Sequence, residues 1–350
     1  MSNESYNYSC NFDNNSCSSS SSSSNFNNVF KIIPTSRFSV ITCQYKWLST
    51  RLAEVSQRTE YIDYTSSDVL KTMEADIEKC RENRARVLAK ESSHIPKSVR
   101  NLLQSAEFER FRMEMDFNYD IKKYPLREIL ESTLDIQPLE NFHVLKGQQK
   151  CQGTNHKSDK LPLLINLTIQ DKVRKFHEIF DIFVREVILP HVAEIFPSER
   201  VIYYQAFPCV RCVRPGEFSI GPHSDTSYGF SQANVNFYVP LTKIYGTNSL
   251  VLESSPGQEN WHTIEAKYGD IKRFYGALCS HFTPENTTCS TRVSLDFRVI
   301  VGSMWIQEHD QFTKTAGYYT SARKVVDNDE NNNDNIWERD QALSMPDYRV

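Results

Sequence analysis

The chain of 350 residues is predicted to be a mainly β protein with flanking helices. Strand-like segments dominate residues 201–306, and residues 292–301 alternate polar and apolar side chains, as a half-buried strand does. The sequence before this region instead repeats its apolar side chains at helical spacing. A polar stretch rich in serine and asparagine comes first. The sequence therefore predicts a β core that follows a helical region.

Differences in composition and in the spacing of apolar residues divide the chain into four regions. Residues 1–33 are predicted to be a disordered tail, because serine- and asparagine-rich sequence buries too little apolar surface to offset its chain entropy. Residues 34–198 are predicted to form helices and a few strands that pack on the core. Residues 199–306 are predicted to form the β core itself. Residues 307–350 are predicted to be a carboxy-terminal extension with a mobile stretch rich in aspartate and asparagine.

Three helices are predicted from apolar stripes and capping residues, and they cover residues 67–90, 98–115 and 168–189. Ser67 is the expected cap of the first helix. Pro190 is expected to end or kink the third helix, because proline breaks the helical hydrogen-bond ladder. Residues 38–45 and 161–167 are expected to be early strands that join the sheets.

Charge, hydropathy and cysteine usage argue against several classes of protein. The net charge of −4 gives no support for binding nucleic acid or an anionic membrane, and no apolar run reaches the roughly 18 residues of a membrane span. The amino terminus lacks the apolar segment of a signal peptide. Nine scattered cysteines favour reduced thiols and a cytoplasmic location. Cys209 and Cys212 are expected on opposite faces of a strand, as buried cysteines rather than a redox or zinc pair.

The chemistry of the chain is concentrated in two short motifs and one isolated histidine. His223 and Asp225 are two residues apart, and on an extended strand such side chains point to the same face. His281 comes from a later strand and could join them. Two imidazoles and one carboxylate on one side of a metal suit Fe(II) and leave the remaining positions open. Arg292 and Ser294, again two apart, could hold a carboxylate through a guanidinium fork and a hydroxyl.

This ordered set of residues resembles the Fe(II)/2-oxoglutarate-dependent dioxygenase superfamily over less than a third of the chain. Its look is nearest to small-molecule hydroxylases of the phytanoyl and antibiotic-biosynthesis kind. The resemblance implies a double-stranded β-helix core, a jelly roll of the cupin-like type. It implies a catalytic Fe(II) bound by His223, Asp225 and His281. It further implies 2-oxoglutarate as co-substrate, held by Arg292 and Ser294, and dioxygen as the oxidant. The implied reaction hydroxylates a C–H bond of a small molecule and releases succinate and carbon dioxide.

Side chains on neighbouring strands are candidates for the walls of this site. Asn236 and Tyr238 share one face of their strand and are expected to contact the co-substrate. Asn234, Tyr203 and Gln205 are further candidates for the same role. The residues that directly follow Asp225 are expected to shape the substrate mouth, and these are Thr226, Ser227 and Tyr228.

Two assignments in this set have alternatives. His262 also has an arginine, Arg273, eleven residues later, and could replace His281 as the distal histidine. A Gly-Asp turn and an aromatic strand precede His281, as the resemblance requires, and they favour it. Arg298 lies on the same predicted strand face as Arg292 and is the alternative binder of the co-substrate carboxylate.

Three other functions stay open at this point. The chain could hydroxylate a protein side chain, with the helical half forming a peptide groove. It could be a cupin-like metal-binding protein that does not use 2-oxoglutarate, although the Arg-x-Ser pair has no role in such a protein. It could also be an inactive binding module. The expected partner is a small-molecule substrate, without nucleic acid or membrane, and the sequence carries no information on oligomeric state.

Overall fold

A computed structural model of the chain describes residues 67–145, 170–217, 219–306, 318–325 and 336–340. The predicted tail at residues 1–33, the early strands at 38–45 and 161–167 and the acidic stretch at 327–335 lie outside the described residues. Across the described part, no helix combines the length and apolar character needed to cross a membrane.

The described residues form eleven strands in two antiparallel sheets. The strands are β1 (Met115–Asn118), β2 (Val201–Gln205), β3 (Cys209–Val213), β4 (Val235–Pro240), β5 (Val251–Leu252), β6 (His262–Thr263), β7 (Asp270–Phe274), β8 (His281–Phe282), β9 (Arg292–Val301), β10 (Tyr319–Lys324) and β11 (Trp337–Arg339). The larger sheet runs β1-β7-β4-β9-β2-β10-β11, and β3 also pairs with β9. The smaller sheet runs β6-β5-β8. The β-rich character predicted from the sequence is confirmed.

Strand β9 separates the hydrophobic core from the polar site. One of its faces, here called the core face, carries the buried side chains Val293, Leu295, Phe297, Val299 and Val301. On this face Phe297 meets Phe180 of a flanking helix edge-on, with ring centroids 5.1 Å apart. The opposite face, here called the site face, carries Arg292, Ser294, Asp296 and Arg298. The helices therefore bury one face of the sheet and leave the other for chemistry.

Seven α-helices flank the sheets within the described ranges: α1 (Ser67–His94), α2 (Lys97–Leu103), α3 (Ala106–Arg112), α4 (Leu126–Leu134), α5 (Phe142–Leu145), α6 (Gln170–Phe183) and α7 (Leu189–Ile195). The single helix predicted over residues 98–115 is wrong. Ser105 is extended, and its hydroxyl oxygen accepts the Phe108 N–H at 3.1 Å, so it caps α3 instead of continuing α2. The chain then enters β1 at Met115.

The third predicted helix continues past its predicted end. The sequence predicts a break or kink at Pro190, but α6 passes through a π-helical turn (Val184–Ile188) into α7, which ends at Ile195. Proline cannot donate a hydrogen bond, and its ring crowds the carbonyl four residues earlier. A wider turn directly before Pro190, in which the Leu189 N–H donates to the Val184 carbonyl, accommodates the ring.

Helix α1 lies across the turn that follows His223, and polar side chains hold it there. The buried Asn83 side chain donates to the Thr226 hydroxyl at 3.1 Å. The adjacent Arg84 binds the fully buried Glu253 carboxylate, with 2.6 Å between Nη2 and Oε1. These contacts fix one face of α1 beside the candidate site.

Candidate active site

His223 and His281 face each other across a short antiparallel bridge. The backbone N–H of each donates to the carbonyl of the other, at 3.1 and 2.8 Å. Each ring also places Nδ1 on a backbone carbonyl, that of Gly221 at 2.9 Å for His223 and that of Cys279 at 3.1 Å for His281. A neutral ring that donates from Nδ1 presents an unprotonated Nε2, which is the form that binds a metal. Both imidazoles therefore present the ring nitrogen that a metal ligand needs.

Asp225 reaches the same point through a local structure that differs from the predicted one. The sequence predicts an extended strand through residues 223–225, but Asp225 begins a 3₁₀ turn (Asp225–Tyr228). Its backbone N–H donates to the Gly276 carbonyl at 2.9 Å, which anchors the turn. The two side chains converge because the chain turns after Ser224, and not because they share one face of a strand.

The three side chains form a buried cluster. One ligand atom from each of His223, Asp225 and His281 lies within 4.8 Å of the others. Their exposed fractions are 7%, 1% and 6%. Burial, with the nearby His281, lowers the pKa of His223 to about 3, and burial also lowers the pKa of His281. Both imidazoles are therefore neutral at physiological pH and can donate a lone pair to a metal.

Two side chains from neighbouring strands hold the Asp225 carboxylate. Arg298 donates from Nε to Oδ2 at 2.9 Å and from Nη2 to Oδ1 at 2.8 Å, and Asn236 donates to Oδ2 at 2.7 Å. Burial alone would raise the pKa of this carboxyl, but the Arg298 charge holds the pKa well below its usual range. A carboxylate has about four acceptor positions, so these three bonds leave one open on Oδ1. Oδ1 lies 3.9 Å from Nε2 of His281, so the open position belongs to the cluster.

These contacts change the interpretation of two residues singled out from the sequence. Arg298, the alternative binder of a co-substrate carboxylate, is already bonded to Asp225 and lies over the Phe230 ring at 4.0 Å. Asn236, a candidate contact to the co-substrate, bonds Asp225 through its amide nitrogen and accepts the Gly276 N–H at 3.1 Å through its oxygen. In the structure both residues position the carboxylate of the cluster.

Arg292, Ser294 and Tyr238 bring unpartnered polar atoms together inside the protein. All three side chains are buried. Arg292 donates from Nη1 to the Asn248 carbonyl at 2.9 Å, but its Nε has no partner among the described residues. The Ser294 and Tyr238 hydroxyls lie close enough to influence each other, and neither has an aligned hydrogen-bond partner within the same ranges. Since buried polar groups are nearly always bonded, this group indicates a site for a ligand with acceptor atoms.

The further candidates on neighbouring strands are engaged in other contacts. The Gln205 side-chain oxygen accepts from Arg298 at 3.3 Å. Tyr203 stacks on Trp305 with ring centroids 4.1 Å apart. The Asn234 side-chain oxygen accepts the hydroxyl of a β10 tyrosine at 2.8 Å. Gln205 therefore supports the site through Arg298, while Tyr203 and Asn234 tie neighbouring elements together.

The alternative distal histidine lies outside the cluster. His262 Nε2 is 2.8 Å from the Glu114 carboxylate, and although burial opposes it, this contact raises the pKa of His262. Arg273, the arginine that follows it in the sequence, donates to a carbonyl of α3 at 2.9 Å and binds His191 Nε2 at 2.7 Å. These contacts join β6 and β7 to neighbouring segments. The geometry therefore favours His281 as the distal histidine.

Cys209 and Cys212 lie on opposite faces of β3, as the sequence predicts. Cys209 is opposite Asp296 on the site face of β9, and Cys212 is opposite Val293 on its core face. Cys212 is buried as predicted, whereas Cys209 is only partly buried, and Cys80, Cys209 and Cys279 are free thiols. Side chains on opposite faces cannot share a metal or form a disulfide with each other.

Sequence reasoning missed the contacts made by three groups near the site. The Gly276 carbonyl accepts the Asp225 backbone N–H, and the Gly276 N–H donates to the Asn236 side-chain oxygen. The one sequence signal for this glycine is its position directly after an aromatic strand. Asn83 of α1 carries no sequence signal. Arg211 and Asp296 form an ion pair at 3.3 Å across β3 and β9, and the polar alternation of both strands could have revealed it.

A cavity of about 560 Å³ opens beside His223. One wall is helix α1, and other walls come from residues 220–222, Ser227 and Tyr228. Thr226, which the sequence groups with those two residues, is instead buried beneath α1. Because His223 belongs both to the cavity and to the cluster, a ligand in the cavity would approach the cluster from this side.

Gly276 is expected to be intolerant of alanine because it faces the Asn236 amide. A Cβ at Gly276 would lie 2.8 Å from Asn236 Oδ1, closer than real contacts allow. The amide would have to move and would lose its bond to Asp225. We expect Gly276→Ala to weaken Mn(II) binding by about tenfold to a hundredfold, measured by isothermal titration, as loss of a ligand-orienting group does.

Asn236→Ala is the matched control for this change. Both substitutions act through the same bond to Asp225, so the double variant should bind Mn(II) about as well as Asn236→Ala alone. Additive losses would show that Gly276 acts by another route, and an unchanged affinity in Gly276→Ala would contradict the proposed contact.

Comparison with known proteins adds one relative and several solved structures. No protein-family model matches the chain. The chain is 26% identical over 189 residues to the streptomycin biosynthesis protein StrG of Streptomyces griseus. The aligned region covers 53% of this chain and 84% of StrG. Its similarity to StrG is below the level that establishes a common family.

The similar solved structures include several non-haem enzymes. They include a nickel complex of the non-haem monooxygenase ThoJ, at 14% identity and a TM-score of 0.34, covering 56% of this chain and 77% of ThoJ. The α-ketoglutarate-dependent epimerase SnoN from nogalamycin biosynthesis is 13% identical, with a TM-score of 0.37, covering 67% of this chain and 93% of SnoN. Scores at this level place no constraint on fold or function.

Proposed function

We propose that the chain is a non-haem Fe(II)/2-oxoglutarate-dependent oxygenase that hydroxylates a C–H bond of a small molecule. The observation that carries this proposal is the pairing of a buried His-Asp-His cluster with buried polar atoms of Arg292, Ser294 and Tyr238 that have no hydrogen-bond partner among the described residues. A metal alone would leave those atoms without a role. A dicarboxylate co-substrate gives them one, because a guanidinium and two hydroxyls suit a carboxylate.

The residues of the cluster fit the proposed metal. His223 and His281 would bind it through Nε2, and Asp225 through the open position on Oδ1. Two imidazoles and one carboxylate are the ligand set typical of non-haem Fe(II) oxygenases. Bound Fe(II), with 2-oxoglutarate and dioxygen, would supply the oxidising chemistry that breaks a C–H bond.

The chain's own residues bind, orient and shield the reacting groups. Arg298 and Asn236 keep the Asp225 carboxylate ionised and fixed in direction. Arg292 would anchor the far carboxylate of the co-substrate in a buried site, where a charge-assisted bond is stronger than it is in water. The buried surroundings of the cluster would keep bulk water away from the reaction.

The proposal also covers the fold type, the class of substrate and the cellular location. We propose that the two antiparallel sheets belong to a double-stranded β-helix of the cupin-like type, with the cluster between them. The size of the cavity beside His223, about 560 Å³, favours a small molecule over a protein side chain as substrate. The link of StrG to streptomycin biosynthesis is in line with a small-molecule reaction. The free thiols of Cys80, Cys209 and Cys279 fit a cytoplasmic location.

Titration of 2-oxoglutarate into the Mn(II)-loaded protein tests this function. A charge-assisted bond contributes about 1.5–3 kcal/mol net, so Arg292→Ala should weaken 2-oxoglutarate binding by about tenfold to a hundredfold or more. Mn(II) binding should persist, since Arg292 is not in the cluster. Arg292→Lys should restore only part of the affinity, because an ammonium lacks the bidentate fork.

Arg323→Ala, at an exposed position on β10, controls for the loss of a positive charge and should bind 2-oxoglutarate as the wild type does. Unchanged affinity in Arg292→Ala would place the co-substrate elsewhere. A wild-type protein that binds Mn(II) but no 2-oxoglutarate would favour the cupin-like metal protein instead.

A further inference from the structure

The cavity beside His223 has an unusually polar lining. Seven of its twelve lining residues, apart from Tyr228, have charged or polar side chains, while the aliphatic side chains of the lining are those of Ile220 and Pro222. Small-molecule pockets are lined predominantly by apolar and aromatic side chains. An aliphatic substrate here would strip water from polar groups without replacing their hydrogen bonds, which costs free energy.

The charges along the cavity balance each other. Helix α1 contributes two acids, Asp76 and Glu82, and two bases, Lys79 and Arg86. Lys79 bonds Asp76 at 3.0 Å, and both side chains are partly open to solvent, so their attraction is weak and easily exchanged. Donors and acceptors therefore alternate along the wall without a net charge. Such a wall suits a ligand with many hydroxyl groups and at most an occasional amino group, rather than a ligand with a large net charge.

Tyr228 adds a flat apolar surface at the entrance. It is 46% exposed, one of the few large exposed hydrophobic side chains of the described residues. Its ring meets that of His223 edge-on with centroids 5.3 Å apart, so the Tyr228 ring lies directly beside the cluster. An aromatic ring covers substantial area and prefers a flat partner such as the C–H face of a saturated ring.

We propose that the substrate is a polyhydroxylated saturated ring, such as a sugar, an amino sugar or a cyclic polyol, free or joined to another group. Its C–H face packs on Tyr228, and its hydroxyl or amino groups bond the polar face of α1. This inference rests on the proposed function, because it makes the cavity the approach to the metal cluster. It predicts that fatty-acyl and steroid-like substrates bind more weakly than hydroxylated rings.

Binding of defined probes to the Mn(II)-loaded protein tests the substrate class. Glucose, glucosamine, inositol and maltose represent the proposed class, and decanoate and cholate represent apolar substrates. We expect at least one hydroxylated ring to bind by isothermal titration, with and without 2-oxoglutarate, and to bind more tightly than either apolar probe. Tighter binding of decanoate or cholate, or no binding of any hydroxylated ring at tens of millimolar, would overturn the inference.

Substitution of Tyr228 ties the binding to the cavity. Tyr228→Ala should weaken binding of the hydroxylated ring by about tenfold, equivalent to about 1.4 kcal/mol, whereas Tyr228→Phe should keep most of the affinity because the ring face is retained. Val144→Ala, at an exposed apolar position on α5, should have no effect. Equal affinity in wild type and Tyr228→Ala would place the ring elsewhere and refute the proposal.

The two binding experiments distinguish failure of the substrate class from failure of the proposed oxygenase function. If 2-oxoglutarate binds in an Arg292-dependent manner and the hydroxylated rings do not bind, only the substrate class fails. If the rings bind and 2-oxoglutarate does not, the cavity assignment holds without the oxygenase chemistry.

Discussion

His281→Ala is expected to lower Mn(II) affinity by more than about a hundredfold, beyond the loss typical of groups that only orient a ligand. The substitution removes one of three ligands from a buried cluster and supplies no replacement. The backbone bridge between His281 and His223 does not depend on the side chain, so the fold should survive. Isothermal titration of Mn(II), with circular dichroism to verify folding, measures the effect.

His262→Ala is the matched control, because His262 was the other candidate for the distal histidine. Its contact with Glu114 ties β6 to the segment before β1 and lies outside the cluster. Its removal should leave Mn(II) binding within about twofold, since no ligand is lost. The reverse result, with binding lost in His262→Ala and kept in His281→Ala, would refute the ligand assignment.

The second large effect concerns Arg298, whose role the structure redefines. Removal of one partner from a buried ion pair costs about 3–5 kcal/mol, because the other charge stays buried without compensation. Arg298→Ala should therefore lower the free energy of unfolding of the metal-free protein by about that amount. Bound Mn(II) would neutralise Asp225 in place of the guanidinium, so saturating metal should recover part of the loss.

Urea denaturation with EDTA and with saturating Mn(II) measures both quantities. Arg211→Ala is the matched control, because its bonds to Asp296 are longer, at 3.3 Å, and both side chains are more exposed. We expect a smaller loss there and a weaker dependence on metal, because Arg211 does not bond Asp225. If Arg298→Ala does not fold, Arg298→Lys keeps the charge and should show an intermediate loss. An equal loss in both conditions would show that Arg298 does not act through Asp225.

Local sequence patterns were sufficient to predict the β-rich core and the set of candidate residues. The alternation in residues 292–301 gives the two faces of β9 directly, because strand side chains alternate. The spacing of His223 and Asp225 also singles out two side chains that the structure brings together with His281. Their role as metal ligands stays a prediction, as does the division of the chain into four regions.

What the sequence could not reveal depends on contacts between distant segments. The bond from Asn236 to Asp225 follows from the register of β4 against β9 and from a turn, neither of which a single strand pattern encodes. The same register places Arg298 on Asp225 rather than on a co-substrate. The break between α2 and α3 depends on a capping serine, Ser105, within an otherwise helical pattern.

The most direct test of the account is the visible spectrum of the protein with Fe(II) and 2-oxoglutarate in the absence of oxygen. Chelation of the co-substrate to iron held by His223, Asp225 and His281 should produce a weak charge-transfer band. The band should be absent from His281→Ala and should need far more 2-oxoglutarate in Arg292→Ala. A wild-type protein that binds Fe(II) but develops no band at saturating 2-oxoglutarate would contradict the proposed function.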